Sequence, residues 1–158
     1  MKSLVGLALL LSALLPPRLS CQATGVGADS GRTAGLNEWH ASKTVPGVFY
    51  MPLLGEGTRP GAYVYRVKAP NGLRVPPHWH TKTMHQTVLT GTLVIVMGEP
   101  LDSSRAQRYA GGSFLVTPAG MRHAEWFEGE TVVHVETEGP IETVFVNPGD
   151  DPRKRTQP

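Results

Sequence analysis

GLRVPPHWHTKTMHQTVLTG, residues 72–91 of this 158-residue chain, contains two closely spaced histidines from which the rest of the sequence can be interpreted. On a β-strand, residues i and i+2 point to the same face, so the imidazoles of His78 and His80 can reach one point. A third histidine, His123, ends the stretch GSFLVTPAGMRH, residues 112–123. Three neutral imidazoles suit a borderline divalent metal and leave a fourth position open for water or substrate. The pattern therefore predicts a three-histidine metal centre.

Short apolar or alternating segments surround these histidines, and glycine or proline separates almost all of them. The chain has 18 Gly and 14 Pro, and no stretch after residue 23 has the 3.6-residue period of an amphipathic helix. Strands that are this short and evenly spaced predict an all-β sandwich or small barrel. The predicted strand segments are 62–68, the two runs of 87–97 on either side of Gly91, 113–117, 131–136 and 141–146.

The spacing of glycine, proline and histidine in the two stretches resembles the two motifs of the cupin superfamily, and the resemblance covers residues 60–147. It implies an all-β double-stranded β-helix, a jelly-roll barrel of about six to eight strands with the metal inside. PPHWH, VLTG, TPAGMRH, GETVVHVE and VNPGDDPRK are also similar to a branch of small single-domain exported cupins of unassigned reaction. The motif positions are Gly72, His78, His80, Gly91, Gly112, Pro118, Gly120 and His123.

The chain departs from the cupin pattern at the fourth ligand. Cupins usually place a glutamate where this sequence has Met84 and His85, and a late asparagine where it has Phe127. The resemblance therefore carries over only three metal ligands, which are His78, His80 and His123.

Three side chains can complete the centre, and water is the fourth alternative. His85 is favoured for its imidazole, but it needs a β-bulge that turns it to the inner face. Met84 offers a soft thioether, which suits copper and is a poor ligand for iron or manganese. Glu125 follows His123 by two residues and shares its strand face. Glu125 and His85 are also the predicted general acid/base residues.

These features favour an exported cupin that binds a divalent metal (iron, copper, manganese or zinc) and acts as a metal-dependent oxygenase on a small organic substrate. Three neutral ligands leave the metal its full charge, which favours an anionic or enolisable substrate. Tyr63 and Tyr65 share a strand face and either line this pocket or pack in the core. The alternatives are a non-catalytic module that binds a small ligand or metal, and a structural cupin that forms a homodimer through an edge strand.

The chain is predicted to consist of a signal peptide, a flexible linker, the cupin domain and a polar tail, at 1–23, 24–35, 36–147 and 148–158. The leader starts with Lys2 and continues with an apolar stretch at 4–15, which is too short to cross a hydrocarbon core of about 30 Å. This predicts export to the periplasm or the cell exterior and no transmembrane span. Lipidation at Cys21, the single cysteine, is the alternative.

Net charge excludes one class of partner. The whole chain carries 15 basic and 13 acidic side chains, and two of the basic ones, Lys2 and Arg18, lie in the leader. The remaining domain is therefore neutral and lacks the basic surface of a nucleic-acid-binding protein. The basic run at 153–155 follows two aspartates and is expected to lie in a solvated tail.

Overall fold

The structure is a computed structural model and describes residues 38–154. The predicted signal peptide and linker lie outside the described residues. Within 38–154 the chain forms nine β-strands and three short 3-10 helices. No helix in this part of the chain is long and apolar enough to cross a membrane. The strands are β1 (His40–Ala41), β2 (Phe49–Leu54), β3 (Gly61–Ala69), β4 (Arg74–His80), β5 (Met84–Met97), β6 (Gln107–Ala110), β7 (Phe114–Thr117), β8 (His123–Gly139) and β9 (Thr143–Phe145).

Two long antiparallel strands, β5 and β8, hold the domain together because each of them takes part in two layers. One layer has the order β1-β2-β3-β8-β5-β7, in which β3 pairs with residues 131–139 of β8. The other has the order β9-β4-β8-β5-β6, in which β4 pairs with the beginning of β8. The hydrogen-bonded sheet thus curls into the double-layered jelly-roll barrel that the sequence predicts.

Both long strands pass from one layer to the other at a glycine. Gly91 in β5 has φ +70° and Gly129 in β8 has φ +76°, a conformation that glycine adopts at little cost. The register between the strands also shifts between Val88 and Thr92, as in a β-bulge. A Cβ atom on Gly91 would lie only 2.6 Å from the carbonyl oxygen of Glu130. The two runs that the sequence predicts on either side of Gly91 are therefore one bent strand.

The hydrophobic core fills the space between the two layers. Inward-facing and outward-facing residues alternate along much of the sheet, but the run 93–96 of β5 is buried on both faces. Full burial of an aliphatic side chain stabilises the fold by roughly 1.5–3 kcal/mol. Core residues from β5, β7 and β8 are Met84, Val88, Leu93, Ile95, Leu115, Phe127, Val133 and Val135.

The start of the predicted polar tail packs against the barrel. Two short 3-10 helices, Pro148–Asp150 and Pro152–Lys154, follow β9. Asp151 lies between them and is only 4% exposed. Its carboxylate pairs with Arg153, which also donates a hydrogen bond to the carbonyl oxygen of Thr143 in β9. The ion pair compensates for burial of the Asp151 carboxylate, whereas Arg153 and Lys154, the part of the basic run that the structure describes, are exposed as expected.

Candidate metal centre

The three histidines predicted as metal ligands lie close together at the end of β4. His78 and His80 point to the same face of that strand, and His123, the first residue of β8, pairs directly with His78. All three residues are buried, with exposed fractions of 8% or less. Each offers one ring nitrogen, and these three atoms lie within 4.8 Å of one another. Antiparallel pairing of two distant segments therefore produces a cluster that can hold a metal ion.

Hydrogen bonds fix the orientation of the three rings. His78 Nδ1 lies 2.8 Å from the carbonyl oxygen two residues before it, and His123 Nδ1 lies 2.9 Å from the equivalent carbonyl oxygen. Because a carbonyl oxygen only accepts, both Nδ1 atoms carry the proton and leave a free lone pair on Nε2. His80 Nδ1 lies 3.2 Å from the side-chain hydroxyl of Thr143. In all three rings Nδ1 has an oxygen partner, and Nε2 remains for a ligand.

His123 provides the most direct test of whether the cluster fits a metal. Its Nε2 is buried and has no hydrogen-bond partner within residues 38–154. A buried polar atom without a partner costs about 1–3 kcal/mol, and a coordinated cation would satisfy it. The residues present therefore fit a metal ion bound by three imidazoles.

The protonation state of the cluster also suits a metal. Burial lowers the pKa of His78 to about 3 and that of His80 to about 2, and the neighbouring imidazoles add to the effect. Burial likewise lowers the pKa of His123. All three rings are thus neutral at ordinary pH, and neutral imidazole is the form that binds metal ions.

A cavity of about 630 Å³ opens inside the barrel beside His78 and His80. Its volume is in the range of pockets that hold small organic molecules. Tyr63 and Tyr65 line it, which is one of the two predicted alternatives, and their stacked rings have centroids 4.6 Å apart. The Tyr65 hydroxyl donates a weak hydrogen bond to Met84 Sδ at 3.7 Å. The pocket is thus largely apolar and has one aromatic wall.

Glu125 lines the same cavity, on the side of β8 predicted from its spacing to His123. Burial raises the pKa of its carboxyl group to about 7. Within the described part of the chain, no hydrogen bond or ion pair engages that carboxyl. Glu125 does not belong to the group of ligand atoms that lie within 4.8 Å of one another. It therefore lines the cavity that His78 and His80 also line, outside the set of close ligands.

His85 does not reach the site, so its predicted roles as fourth ligand and acid/base residue do not fit this structure. Its side chain is exposed and its ring stacks on Phe114, with centroids 6.3 Å apart. The bulge that His85 would need is absent, because β5 keeps a regular register with β7 from Met84 to Thr87 and with β8 from His85 to Val88. Met84 consequently faces the interior and is only 4% exposed. The register shift comes later in the strand, close to Gly91.

Two further residues at the site were not anticipated from the sequence. Gln86 is 5% exposed and lines the cavity two positions after Met84, so strand parity alone could have found it. Thr143 contacts His80 from β9, which pairs with β4. No local pattern relates these two segments, because only the topology of the barrel makes them neighbours.

Comparison with solved structures gives the same fold at low sequence identity. The DMSP lyase DddQ from Ruegeria pomeroyi DSS-3 matches over 70% of this chain and 61% of its own, with 20% identity and a TM-score of 0.56. KdgF from Halomonas sp. matches over 64% and 87%, with 17% identity and a TM-score of 0.51. A salicylate 1,2-dioxygenase from Pseudoaminobacter salicylatoxidans, in adducts with gentisate, matches over 68% of this chain but only 31% of its own, with 13% identity and a TM-score of 0.55.

Comparison at the level of sequence identifies the family. No curated protein matches this chain. The model of one protein family, the ChrR cupin-like domain, matches residues 32–142, which is more than half of the sequence. The match includes both histidine stretches and eight of the nine strands. The chain therefore belongs to the ChrR cupin-like family of the cupins.

Proposed function

We propose that this protein is an exported metalloenzyme that acts on a small organic molecule in the barrel cavity, as a metal-dependent oxygenase. The observation that carries the proposal is the buried, unpartnered Nε2 of His123 beside the rings of His78 and His80. These three residues would hold a divalent ion of iron, copper, manganese or zinc. When bound, the metal would supply Lewis-acid chemistry and, if it is iron or copper, redox chemistry.

The cavity supports one class of substrate. Three neutral imidazoles leave the charge of a divalent cation uncompensated, so an anionic or enolisable group on the substrate would be attracted to this end of the pocket. Tyr63 and Tyr65 provide a stacked wall against which a flat or apolar body can pack. A small molecule with one acidic or enolic group and an apolar remainder fits both features.

Glu125 is the residue we propose for proton transfer. Its carboxyl lies in the cavity wall, without a hydrogen-bond partner among the described residues, and is free to contact a substrate. Proton transfer by a positioned side chain contributes about 10²–10⁴-fold to an enzymatic rate. The likeness in fold to a dioxygenase in adducts with gentisate and to a lyase supports chemistry on small molecules in such a barrel. His85 has no part in this mechanism.

Elemental analysis by mass spectrometry tests the metal centre. Protein would be purified from its exported form without a histidine tag and compared with the variant His78→Ala/His123→Ala. We expect near-stoichiometric metal in the wild type and none in the double variant. His85→Ala is the matched control, because it removes an exposed histidine and should retain the metal. A wild type that neither carries a metal nor takes up iron, copper, manganese or zinc on reconstitution would contradict the proposal.

Oxygen consumption then distinguishes an oxygenase from the alternative, a non-catalytic metal- or ligand-binding module. The alternative is favoured by one observation, which is that Met84 replaces the usual glutamate and no carboxylate is found among the close ligand atoms. The metal-loaded protein would be assayed against a panel of small aromatic and aliphatic hydroxy acids, with Glu125→Gln as the paired variant. Oxygen uptake that depends on substrate and is reduced in Glu125→Gln supports the oxygenase. A stoichiometric metal without any turnover supports the binding module.

Export is the remaining part of the proposal. It is supported by the positively charged start and the short apolar stretch of residues 1–23. Mass spectrometry of the N-terminus of protein recovered outside the cytoplasm would identify the cleavage site. An N-terminus at Cys21 that carries acyl chains would indicate a lipid anchor instead.

A further inference from the structure

The segment 147–154, here called the C-terminal clasp, is linked to the metal centre through a series of direct contacts. Arg153 binds Asp151 with two parallel hydrogen bonds, from Nε to Oδ1 at 2.8 Å and from Nη2 to Oδ2 at 2.9 Å. The backbone N–H of Arg153 also donates to Asp151 Oδ1 at 3.0 Å. Such a bidentate pair fixes the direction of the guanidinium group as well as its position.

Arg153 uses its remaining donor capacity on the barrel. Its Nη2 donates to the main-chain carbonyl oxygen of Thr143 at 2.8 Å. Thr143 pairs with His80 across β9 and β4, and its side-chain hydroxyl lies 3.2 Å from His80 Nδ1. Thr143 is therefore the only residue between the clasp and the imidazole of His80 in this series of contacts.

His80 differs from the other two histidines in how its ring is held. His78 and His123 each use a carbonyl oxygen of their own strand segment, two residues away. The partners of His80 are more than 60 residues away in sequence: the hydroxyl of Thr143, on a strand of three residues that pairs only with β4 among the described strands, and the backbone of Glu142 just before that strand. Hydrogen bonds between Glu142 and Thr81 and between Val146 and Pro77 hold the two ends of this short edge strand, and Arg153 adds a contact at its first residue, Thr143. The orientation of His80 consequently depends on whatever holds β9 in place.

We propose that the Asp151–Arg153 pair is a positioning device for the metal centre, in which Arg153 holds β9 and thereby Thr143 against His80. Asp151 and Arg153 are positioning residues that touch neither metal nor substrate. The proposal rests on the proposed metal-binding function, and it assigns a role to the conspicuous DDPRK sequence at the end of the domain. Partners that orient a ligand histidine typically change metal affinity about 10–100-fold when they are removed.

Zinc affinity, measured by competition with a chelating indicator, tests the proposal. We expect Thr143→Val, which keeps the shape but removes the hydroxyl, to weaken zinc binding about 10–100-fold. Thr143→Ser restores the hydroxyl and should restore the affinity. Arg153→Gln should weaken binding about 10-fold. The matched control is Arg108→Gln, because Arg108 forms a comparable pair with Glu128 on the barrel surface, away from the cluster. It should bind zinc like the wild type.

A second measurement uses the metal-free protein and separates this proposal from the proposed function. Long-range proton–nitrogen NMR correlations report which nitrogen of His80 carries the proton. We expect one dominant Nδ1–H tautomer in the wild type and a mixture in Thr143→Val and Arg153→Gln. A wild type that binds no zinc would contradict the metal centre but leave this test intact. An unchanged tautomer in both variants, or equal zinc affinities of Arg153→Gln and Arg108→Gln, would overturn the role of the clasp.

Discussion

Each imidazole of the cluster has one nitrogen next to an oxygen of the protein and a second nitrogen that is available to a metal ion. The Nδ1 atoms of His78 and His123 have carbonyl partners, so their tautomer is determined before any metal arrives. The buried Nε2 of His123 has no hydrogen-bond partner among the described residues, which costs free energy of folding. Because the three rings are neutral, a metal ion would displace no proton when it binds. The rings are also held in fixed orientations, and one ring nitrogen lacks a partner, so the site is suited to a cation.

Replacement of Met84 by glutamate tests whether this position controls metal preference. Met84 occupies the place of the usual cupin glutamate and faces the cavity, and a carboxylate is a harder ligand than a thioether. We expect Met84→Glu to strengthen Mn²⁺ binding relative to Cu²⁺ by about 10-fold or more, measured by competition titration. Met84→Leu, which offers no ligand atom, should not gain Mn²⁺ affinity. If both variants bind Mn²⁺ equally, the side chain at position 84 does not reach the ion.

Glu125→Gln should change how the stability of the metal-free protein depends on pH. Burial raises the pKa of Glu125 to about 7 from its ordinary 4.5, so the folded state keeps a proton that the unfolded chain has lost. The contribution of Glu125 to the free energy of unfolding therefore falls as pH rises from 4.5 to 7. At about 1.4 kcal/mol per tenfold change in proton affinity, the loss is at most about 3 kcal/mol.

Urea denaturation at pH 5 and at pH 8 measures this effect. The advantage of Glu125→Gln over the wild type should be larger at pH 8, where the wild type carries the buried charge. Glu130→Gln is the matched control, because Glu130 is exposed on the same strand. If the free energies of unfolding of Glu125→Gln and wild type differ by the same amount at both pH values, the pKa of Glu125 is not raised in the folded protein.

At the scale of elements, the strands that could be predicted are those with strong patterns of buried residues. The predicted segment 62–68 lies within β3, and 113–117 coincides with β7 to within one residue. The short strand β6 was missed because it is at an edge, carries no buried residue and has no apolar period to detect. β2 was missed as well, and it contains Pro52, which ordinarily argues against a strand.

The alternation of side chains predicted which site residues share a face of one strand, and the spacing of the two motifs predicted that His123, from a distant segment, joins His78 and His80. Because residues i and i+2 of a strand share a face, the sequence predicted that His78 lies beside His80 and that Glu125 faces the cavity from β8. The bulge that His85 would need to reach the site is not there, and the register shift lies next to Gly91, where a positive φ is possible without strain. The contact of Thr143 with His80 depends on which strands become neighbours, and the local sequence carries no information on that.

The bend in β5 provides a prediction at this scale, with its control in β8. Gly91→Ala and Gly129→Ala both impose a left-handed conformation on a residue with a Cβ, at about 1–2 kcal/mol. Only the Cβ at Gly91 would also collide with Glu130 and Thr131, whereas nothing lies within 4 Å of one at Gly129. Overpacking of this kind adds about 1–3 kcal/mol. We expect Gly91→Ala to be the more destabilising variant in urea denaturation, and equal losses would show that the bend tolerates a side chain.

At the scale of the whole molecule, the barrel isolates the histidines from water, and acid should therefore unfold the metal-free protein. An unfolded histidine has a pKa of about 6.5, whereas burial lowers the pKa of His78 to about 3 and that of His80 to about 2. Between pH 6.5 and 3 the unfolded chain binds protons that the folded barrel excludes. The free energy of unfolding consequently falls as pH falls through this window, by about 1.4 kcal/mol per pH unit for each buried histidine.

Histidine variants test whether the three clustered histidines cause this acid sensitivity, because each variant changes how steeply the free energy of unfolding depends on pH. Glu125 opposes it between pH 4.5 and 7, because its own contribution to stability rises as pH falls. We expect His78→Gln to lower the slope of unfolding free energy against pH by about one proton, measured by urea denaturation of metal-free protein from pH 4 to 7. His85→Gln removes an exposed histidine and should leave the slope unchanged. If the two variants share one slope, the barrel does not exclude protons from its histidines, and the cluster is open to solvent.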